Sequence, residues 1–199
     1  MSLDKIETPL IGVEGHIKIW DPESGEILVK RRNAVNYENM SLAVANLLAN
    51  AVGSTSTYEI STMRFGNGGT SIDGVGAVTY KATNTNSASG ALYNQTHSQT
   101  VDDAITSSAL NSVTASHTTP NTYSDVITTC TLDYNIPAGQ DLTDTGTDMN
   151  GAYVFDELAL YTANNDLLTH VVFHPVQKSA NRKIQVVYTL RIRSSFADL

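Results

Sequence analysis

Apolar residues alternate with polar ones over several stretches of the chain, and this alternation predicts β-strands. In the clearest stretch, apolar side chains fill every second position: Ile184, Val186, Tyr188, Leu190 and Ile192. A period of two is that of a strand with one buried face. On the same grounds a hairpin is predicted at 13–32 and further strands at 58–65, 76–81, 123–136, 152–162 and 167–174, with a weaker strand at 92–97. In the strand at 123–136 the alternation continues through Tyr134 and Ile136, which are predicted to share the buried face.

One amphipathic helix is predicted near residues 37–52. Asn36 is a suitable N-cap, and Glu38 in the first turn complements the helix dipole. Gly53 is a natural stop. The predicted apolar stripe consists of Met40, Val44, Leu47, Leu48 and Ala51. A single such helix among strands is expected to lie on a sheet or to close the end of a sandwich.

The order of the elements predicts a mainly β fold. No strand–helix–strand rhythm is present, so we expect an antiparallel β-sandwich of jelly-roll type with one helix and long polar loops. Residues 13–199 are predicted to form one β-rich domain. Residues 1–12, apolar but without a period, are predicted to form an N-terminal arm that packs on an adjacent subunit. Residues 82–122, rich in Ser, Thr and Asn, are predicted to be a long loop region facing solvent or a partner.

Charge and cysteine content narrow the functional classes. The formal net charge of −8 argues against a nucleic-acid partner, and the run Lys30-Arg31-Arg32 is predicted to be a solvated strand end. No apolar run is long enough to span a membrane, and no leader pattern opens the chain, so we expect synthesis and folding in a cytoplasm. The single cysteine, Cys130, excludes an intrachain disulfide and is predicted to be a buried small apolar residue.

The stretch "FGNGGTS" at residues 65–71 resembles a phosphate-binding loop only superficially. The dinucleotide pattern requires a third glycine where Ser71 stands, and the phosphate-loop lysine is missing because no lysine occurs between Lys30 and Lys81. Asn67-Gly68 is a common turn dipeptide. We therefore predict a tight turn in which Asn67-Gly68 and Gly69 supply positive φ angles.

Two residue pairs have side chains that could bind a metal ion or act as a carboxylate pair in catalysis. His170 and His174 lie on a predicted strand, roughly 13 Å apart, which is too far to bind one metal ion. Asp156 and Glu157 are adjacent and are expected to point to opposite faces of a strand, so they do not form a glycosidase-like carboxylate pair.

A cluster of acidic and amide side chains lies in a predicted loop at 139–151. It does not match the calcium-loop spacing, so a solvated acidic loop is predicted, although binding of a cation stays open. Its members are Asp141, Asp144, Asp148 and Asn150. No G-x-S-x-G nucleophile motif occurs. No catalytic, cofactor-binding or metal-binding residue is predicted, and the protein is expected not to be an enzyme.

Five blocks in the same order resemble a group of virion structural proteins of tailed bacteriophages, chiefly contractile-tailed ones. They read "NAVNYENMSLAVANLLAN", "FGNGGT", "YSDVITTCTLDYNIPAGQD", "VFDELALY" and "LLTHVVFHPVQKSANRKIQVVYTLRI". The resemblance implies a virion component made in the host bacterial cytoplasm, without catalytic residues or cofactors. Its implied partners are copies of itself and other virion proteins, such as major capsid or neck and tail proteins. Nucleic acid, membrane and small-molecule substrates are not expected partners.

The resemblance does not fix the place in the particle. We favour a protein that decorates or cements the capsid surface. The alternative is an adaptor of the neck, collar, tail or baseplate. A further alternative is a carbohydrate-binding β-sandwich associated with a fibre, for which Tyr93 and Tyr123 are candidate exposed aromatics, whereas the single tryptophan, Trp20, lies beside the first hairpin turn.

Overall fold

Two five-stranded antiparallel sheets face each other across a shared apolar core. The computed structural model describes residues 8–49, 57–101, 110–142 and 151–197, with side chains described at 11–49, 57–101, 110–142 and 151–193. We call the two sheets A and B. The sheets are not closed into a barrel. The predicted mainly β, antiparallel sandwich with one helix is confirmed.

The strands are numbered β1 to β12 in chain order. Those of sheet A are β1 (Thr8–Trp20), β2 (Ile27–Arg32), β8 (Asn111–His117), β9 (Tyr123–Leu132) and β12 (Ile184–Ala197). Those of sheet B are β3 (Ala34–Val35), β4 (Ile60–Gly66), β7 (Gln95–Thr100), β10 (Val154–Thr162) and β11 (Leu167–Gln177). The spatial order of the strands is β2-β1-β12-β9-β8 in sheet A and β3-β11-β10-β4-β7 in sheet B. A two-stranded sheet is formed by β5 (Thr70–Ile72) and β6 (Val78–Tyr80), and the helix α1 spans Tyr37–Ala49.

The core lies between the sheets because alternate residues of the central strands point inward. Sheet A contributes Ile17, Ile19 and Tyr188, and sheet B contributes Met63 and Leu158, among others. All five are almost completely buried. The outer face of sheet B is also buried, by a second apolar cluster of Leu92, Ala159, Tyr161 and Leu167. Sheet B is thus covered on both faces along β10 and β11, whereas in the described part of the chain sheet A has an open outer face.

Several strand boundaries differ from the sequence prediction. Strand β1 begins at Thr8, which pairs with Ala197, so residues 8–12 of the predicted arm are paired with β12, whereas residues 1–7 lie outside the described residues. Strand β9 ends at Leu132 because the chain turns at Asn135, which has a φ of 56°. Tyr134 and Ile136 are therefore exposed, not buried as predicted.

The composition of residues 82–122 predicts a long loop region, but the structure has two strands there. The region contains β7, near the weak strand predicted at 92–97, and β8, which was not predicted. Both strands lie at the edges of their sheets and bury few side chains, so selection for an alternating apolar pattern is weak there. Residues 102–109 between them lie outside the described residues.

The helix begins as predicted, but only the first half of the predicted apolar stripe, Met40 and Val44, packs against the core. The Asn36 side chain accepts a hydrogen bond from the backbone N–H of Asn39, which confirms the N-cap. The buried positions are Asn39, Met40 and Ala43. Leu47 is 52% exposed and Leu48 is 84% exposed, so the predicted stripe is wrong in its second half, because the helix runs past the end of the core. Ala51 and Gly53 lie outside the described residues.

We expect the substitution Leu47→Ala to lower the free energy of unfolding by about 1 kcal/mol, well below the cost of truncating a fully buried leucine. Half of the side chain already contacts solvent, so little apolar area is lost. Urea denaturation of the purified protein measures this difference. A loss above about 2 kcal/mol would mean that Leu47 is buried against another part of the chain or another subunit.

Candidate functional site

A buried glutamate and a buried histidine form a pair on the outer face of sheet B. Glu157 in β10 and His170 in β11 are fully buried, with 3.1 Å between Glu157 Oε2 and His170 Nε2. The other ring nitrogen, Nδ1, accepts a hydrogen bond from the backbone N–H of Asn84 at 2.9 Å. Because an accepting nitrogen carries no proton, the proton of the ring is on Nε2, which donates to Glu157. The pair is therefore a neutral imidazole bonded to a carboxylate.

The carboxylate of Glu157 also accepts hydrogen bonds from three backbone N–H groups. Oε1 accepts from Gly68 at 3.2 Å and from Asn94 at 2.8 Å, and Oε2 accepts from Tyr93 at 3.0 Å. Burial opposes ionisation of this group, but the hydrogen bonds from His170, Asn94 and Tyr93 outweigh burial and hold its pKa below the ordinary value. Glu157 is a buried anion whose charge is balanced by hydrogen-bond donors.

The neighbouring carboxylate, Asp156, binds the same segment of chain. Its Oδ1 accepts from the Gly69 N–H at 2.8 Å, and its Oδ2 accepts from the Thr70 N–H at 2.7 Å and from the Thr70 hydroxyl. The expectation that Asp156 and Glu157 serve opposite faces is therefore wrong. The β10–β11 register shifts between Phe155 and Glu157, and this irregularity breaks the strict alternation of side chains.

Residues 66–70, the glycine bend, are bound by these two carboxylates. The N–H groups of Gly68, Gly69 and Thr70 point at anions, as in a phosphate loop, but the anions are side chains of the same protein. These donors are already occupied. The predicted positive φ angles are wrong, because the described glycines with positive φ are Gly25, Gly76 and Gly139.

Glycine is needed in the bend because other atoms lie too close for a side chain. A Cβ on Gly66 would lie 2.5 Å from the carbonyl oxygen of Asn94 and 2.5 Å from Oε1 of Glu157. A Cβ on Gly68 would lie 2.8 Å from the backbone nitrogen of Asn94. Both distances are far below van der Waals contact, so the requirement is for space and not for an unusual backbone conformation.

Residues 82–94, the polar strap, cross the outer face of sheet B and are fixed at both ends by the Glu157–His170 pair. Asn84 is bound by His170 at the start of the strap, and Tyr93 and Asn94 are bound by Glu157 at its end. These contacts use backbone N–H groups of the strap. The part of the predicted loop region at 82–94 is therefore held against the sheet.

The middle of the polar strap is held by the helix. The side-chain amide of Asn36 donates to the carbonyl of Ser87 at 2.8 Å, and that of Asn39 donates to the carbonyl of Ala88 at 3.0 Å. Leu92 closes the apolar cluster beneath the strap. The chemistry-bearing side chains of this region are buried and fully hydrogen-bonded, so their role is to fix the strap and the glycine bend on sheet B.

The two histidines considered for metal binding have separate environments. His170 is buried in the pair described above, whereas His174 is exposed and lies 3.3 Å from the hydroxyl of Tyr80. Cys130 is fully buried, which confirms its predicted position, and burial raises the pKa of its thiol. Neither the histidines nor the cysteine form a joint site.

Part of the acidic loop belongs to the described residues. Asp144, Asp148 and Asn150 lie outside the described residues, and Asp141 accepts the backbone N–H of Ala180 through its carbonyl oxygen. Within the described ranges, no group of three or more His, Cys, Asp or Glu side chains could hold a metal ion.

The aromatic side chains proposed for sugar binding are covered by cations. The Arg191 guanidinium lies 3.9 Å from the ring centre of Tyr123, and Lys81 Nζ lies 4.6 Å from that of Tyr93. Lys18 Nζ similarly lies 4.2 Å from the ring centre of Trp20. A ring face that already carries a cation is not available for stacking on a sugar.

Comparison with protein-family models, with curated proteins and with solved structures finds no match to this chain. No helix in the described part of the chain is both long and apolar enough to cross a membrane.

Proposed function

We propose that the protein is a non-enzymatic structural component of the virion of a tailed bacteriophage, and that it decorates or cements the capsid surface. Its partners are copies of itself and other virion proteins, the major capsid protein first among them. The resemblance of five sequence blocks suggests the class of protein. The contacts of Asp156, Glu157 and His170 support the non-enzymatic part of the proposal, because these groups hold the fold together and are closed to solvent.

The observation that carries the proposal is the difference between the two sheet faces. The outer face of sheet B is covered by the polar strap and by the β5–β6 hairpin, which packs against β11. The outer face of sheet A has exposed or half-buried side chains along its central strands, such as His16, Val187 and Thr189. A protein that lays one face on a neighbour needs such an open, rigid sheet.

Copy number in purified particles tests the proposal. We expect the protein to be present in hundreds of copies per particle, measured by gel densitometry against the major capsid protein. Six or twelve copies, or a small multiple of these, would favour the neck or tail alternative. Absence of the protein from purified particles would refute a virion role.

The carbohydrate-binding alternative has less support, because Trp20, Tyr93 and Tyr123 stack with cations.

A further inference from the structure

The outer face of sheet A is basic although the whole chain is acidic. Strand alternation and register place five of the twelve Lys and Arg residues on this face, but only two of the twenty acidic residues, Glu14 and Asp125. The five are Lys18, Lys30, Arg32, Arg191 and Arg193. The formal charge of the face is thus +3, against −8 for the chain. Charge is strongly segregated on the surface.

The arginines of this face are already paired with carboxylates. Arg191 binds both oxygens of Asp125 at 2.7 Å, and these hydrogen bonds hold the pKa of Asp125 below its ordinary value. Arg32 and Arg193 both contact Glu14. The arginines therefore leave little charge for a partner.

Lys18 and Lys30 differ from these arginines in their ion pairing. They are directly opposite each other in the β1–β2 register, and in the described part of the chain neither is within ion-pair distance of a carboxylate. Like charges directly opposite on neighbouring strands repel and destabilise the sheet. A charge on an edge strand can serve to prevent edge-to-edge pairing, but Lys18 is on β1, which has neighbours on both sides. The repulsion between the two lysines therefore destabilises the sheet, and protection of an edge strand does not explain why both are present.

The two lysines form the wall of a shallow groove of about 550 Å³. Side chains that line it include His16, Lys18, Lys30, Arg32, Val187 and Thr189. Val187 and Thr189 are half-buried, so the groove combines basic side chains with a floor of β-branched residues. This mixture of charge and apolar area is typical of a protein–protein contact.

We propose that the Lys18–Lys30 groove docks a carboxylate-rich surface of a neighbouring virion protein; this inference rests on the proposed function. A protein surface fits better than a nucleic acid for two reasons. Three of the five basic residues are already bound to carboxylates, and the net charge of −8 repels an extended polyanion. A partner carboxylate placed between Lys18 and Lys30 would offset the repulsion between their like charges at short range.

Rebinding to particles assembled without the protein tests this site. Purified parent protein and variants are titrated onto such particles at low and high salt, and bound protein is quantified after sedimentation. Lys18→Gln with Lys30→Gln should weaken binding by about tenfold or more at low salt, and the difference should shrink at high salt, where exposed charges are screened. Lys18→Arg with Lys30→Arg should bind within about twofold of the parent, because both charges are kept.

A matched control separates the site from net charge. Ser41→Glu with Thr79→Glu also lowers the net charge by two, at exposed positions on the helix and on β6. It should bind like the parent, and thermal melts should show that all variants are folded. Equal binding by the Lys→Gln variant and the parent would overturn the docking site but leave the virion role intact. Absence of the protein from native particles would overturn both. Lysine-dependent binding to a DNA duplex, with no binding to the particles, would also overturn the docking site.

Discussion

Replacement of Glu157 by glutamine should lower the free energy of unfolding by about 3–5 kcal/mol, the range for removing one partner from a buried ionic network. The side chain keeps its size but replaces a carboxylate oxygen with an NH₂ group. That group would face donors whichever way the amide turns, because Oε1 accepts from two N–H groups and Oε2 from Tyr93 and His170. His170 cannot adapt, since its Nδ1 must keep accepting from Asn84. Urea denaturation at pH 7 measures the loss.

The pH dependence of this difference identifies its cause. The pKa of Glu157 is lowered in the folded protein, so its stabilisation is fully present above the ordinary carboxyl pKa and disappears as pH falls through the lowered value. The gap between parent and variant should therefore be constant near neutral pH and should close in acid. Glu26→Gln, at an exposed carboxylate, is the control and should change stability by less than about 0.5 kcal/mol. If Glu157→Gln matches this control, the buried network contributes nothing to stability.

The sandwich could be predicted because positions that are buried in the core are occupied by apolar residues in a regular pattern. Residues of β10, β11 and β12 alternate or run apolar where they meet the core, and Asn36 marks the start of the helix. The edge strands β7 and β8 have no such apolar pattern. Strand β8 is nearly all Ser, Thr, Ala and Asn, and its residues are mostly exposed, so composition alone favoured a loop.

The Glu157–His170 pair was missed although the sequence contained a signal for it. The turn-forming residues at 164–166 indicate that the strands on either side form a hairpin. The signal is incomplete, because the observed pairing of Ala159 with His170 and of Glu157 with Val172 follows a register shift after Leu160 that turn residues do not specify. Sequence spacing alone groups Glu157 with Asp156 and His170 with His174.

The polar strap could not be predicted from side-chain patterns. It is held chiefly through backbone N–H and C=O groups, which every residue supplies. Leu92 contributes an apolar side chain to the sheet beneath, and the Tyr93 ring lies 5.8 Å from the ring of His170. The partners of the strap, by contrast, are particular side chains, because the carboxylate of Glu157, the ring of His170 and the hydroxyl of Tyr161 accept these N–H groups.

The second large effect is expected for Gly66→Ala, which should cost about 2–3 kcal/mol through overpacking. Gly66 is the last residue of β4 and pairs with Glu157 in β10. The added methyl group would lie 2.5 Å from the Asn94 carbonyl and from Oε1 of Glu157, so either the strap or the carboxylate must move. Either movement weakens the hydrogen bond between Asn94 and Glu157. Urea denaturation gives the loss of stability, and tryptic cleavage after Lys81 reports release of the strap.

Gly74→Ala is the matched control, because a Cβ at Gly74 meets no atom within 4 Å and its φ is not positive. It should change stability by less than about 0.5 kcal/mol. A double-mutant cycle then tests whether Gly66 acts through Glu157. Once Glu157→Gln has loosened the strap, Gly66→Ala should cost less than in the parent, with a coupling of about 1 kcal/mol or more between the two sites. Strict additivity would show that the space around Gly66 and the carboxylate contacts stabilise the fold independently, and that the strap is not fixed by one joint network.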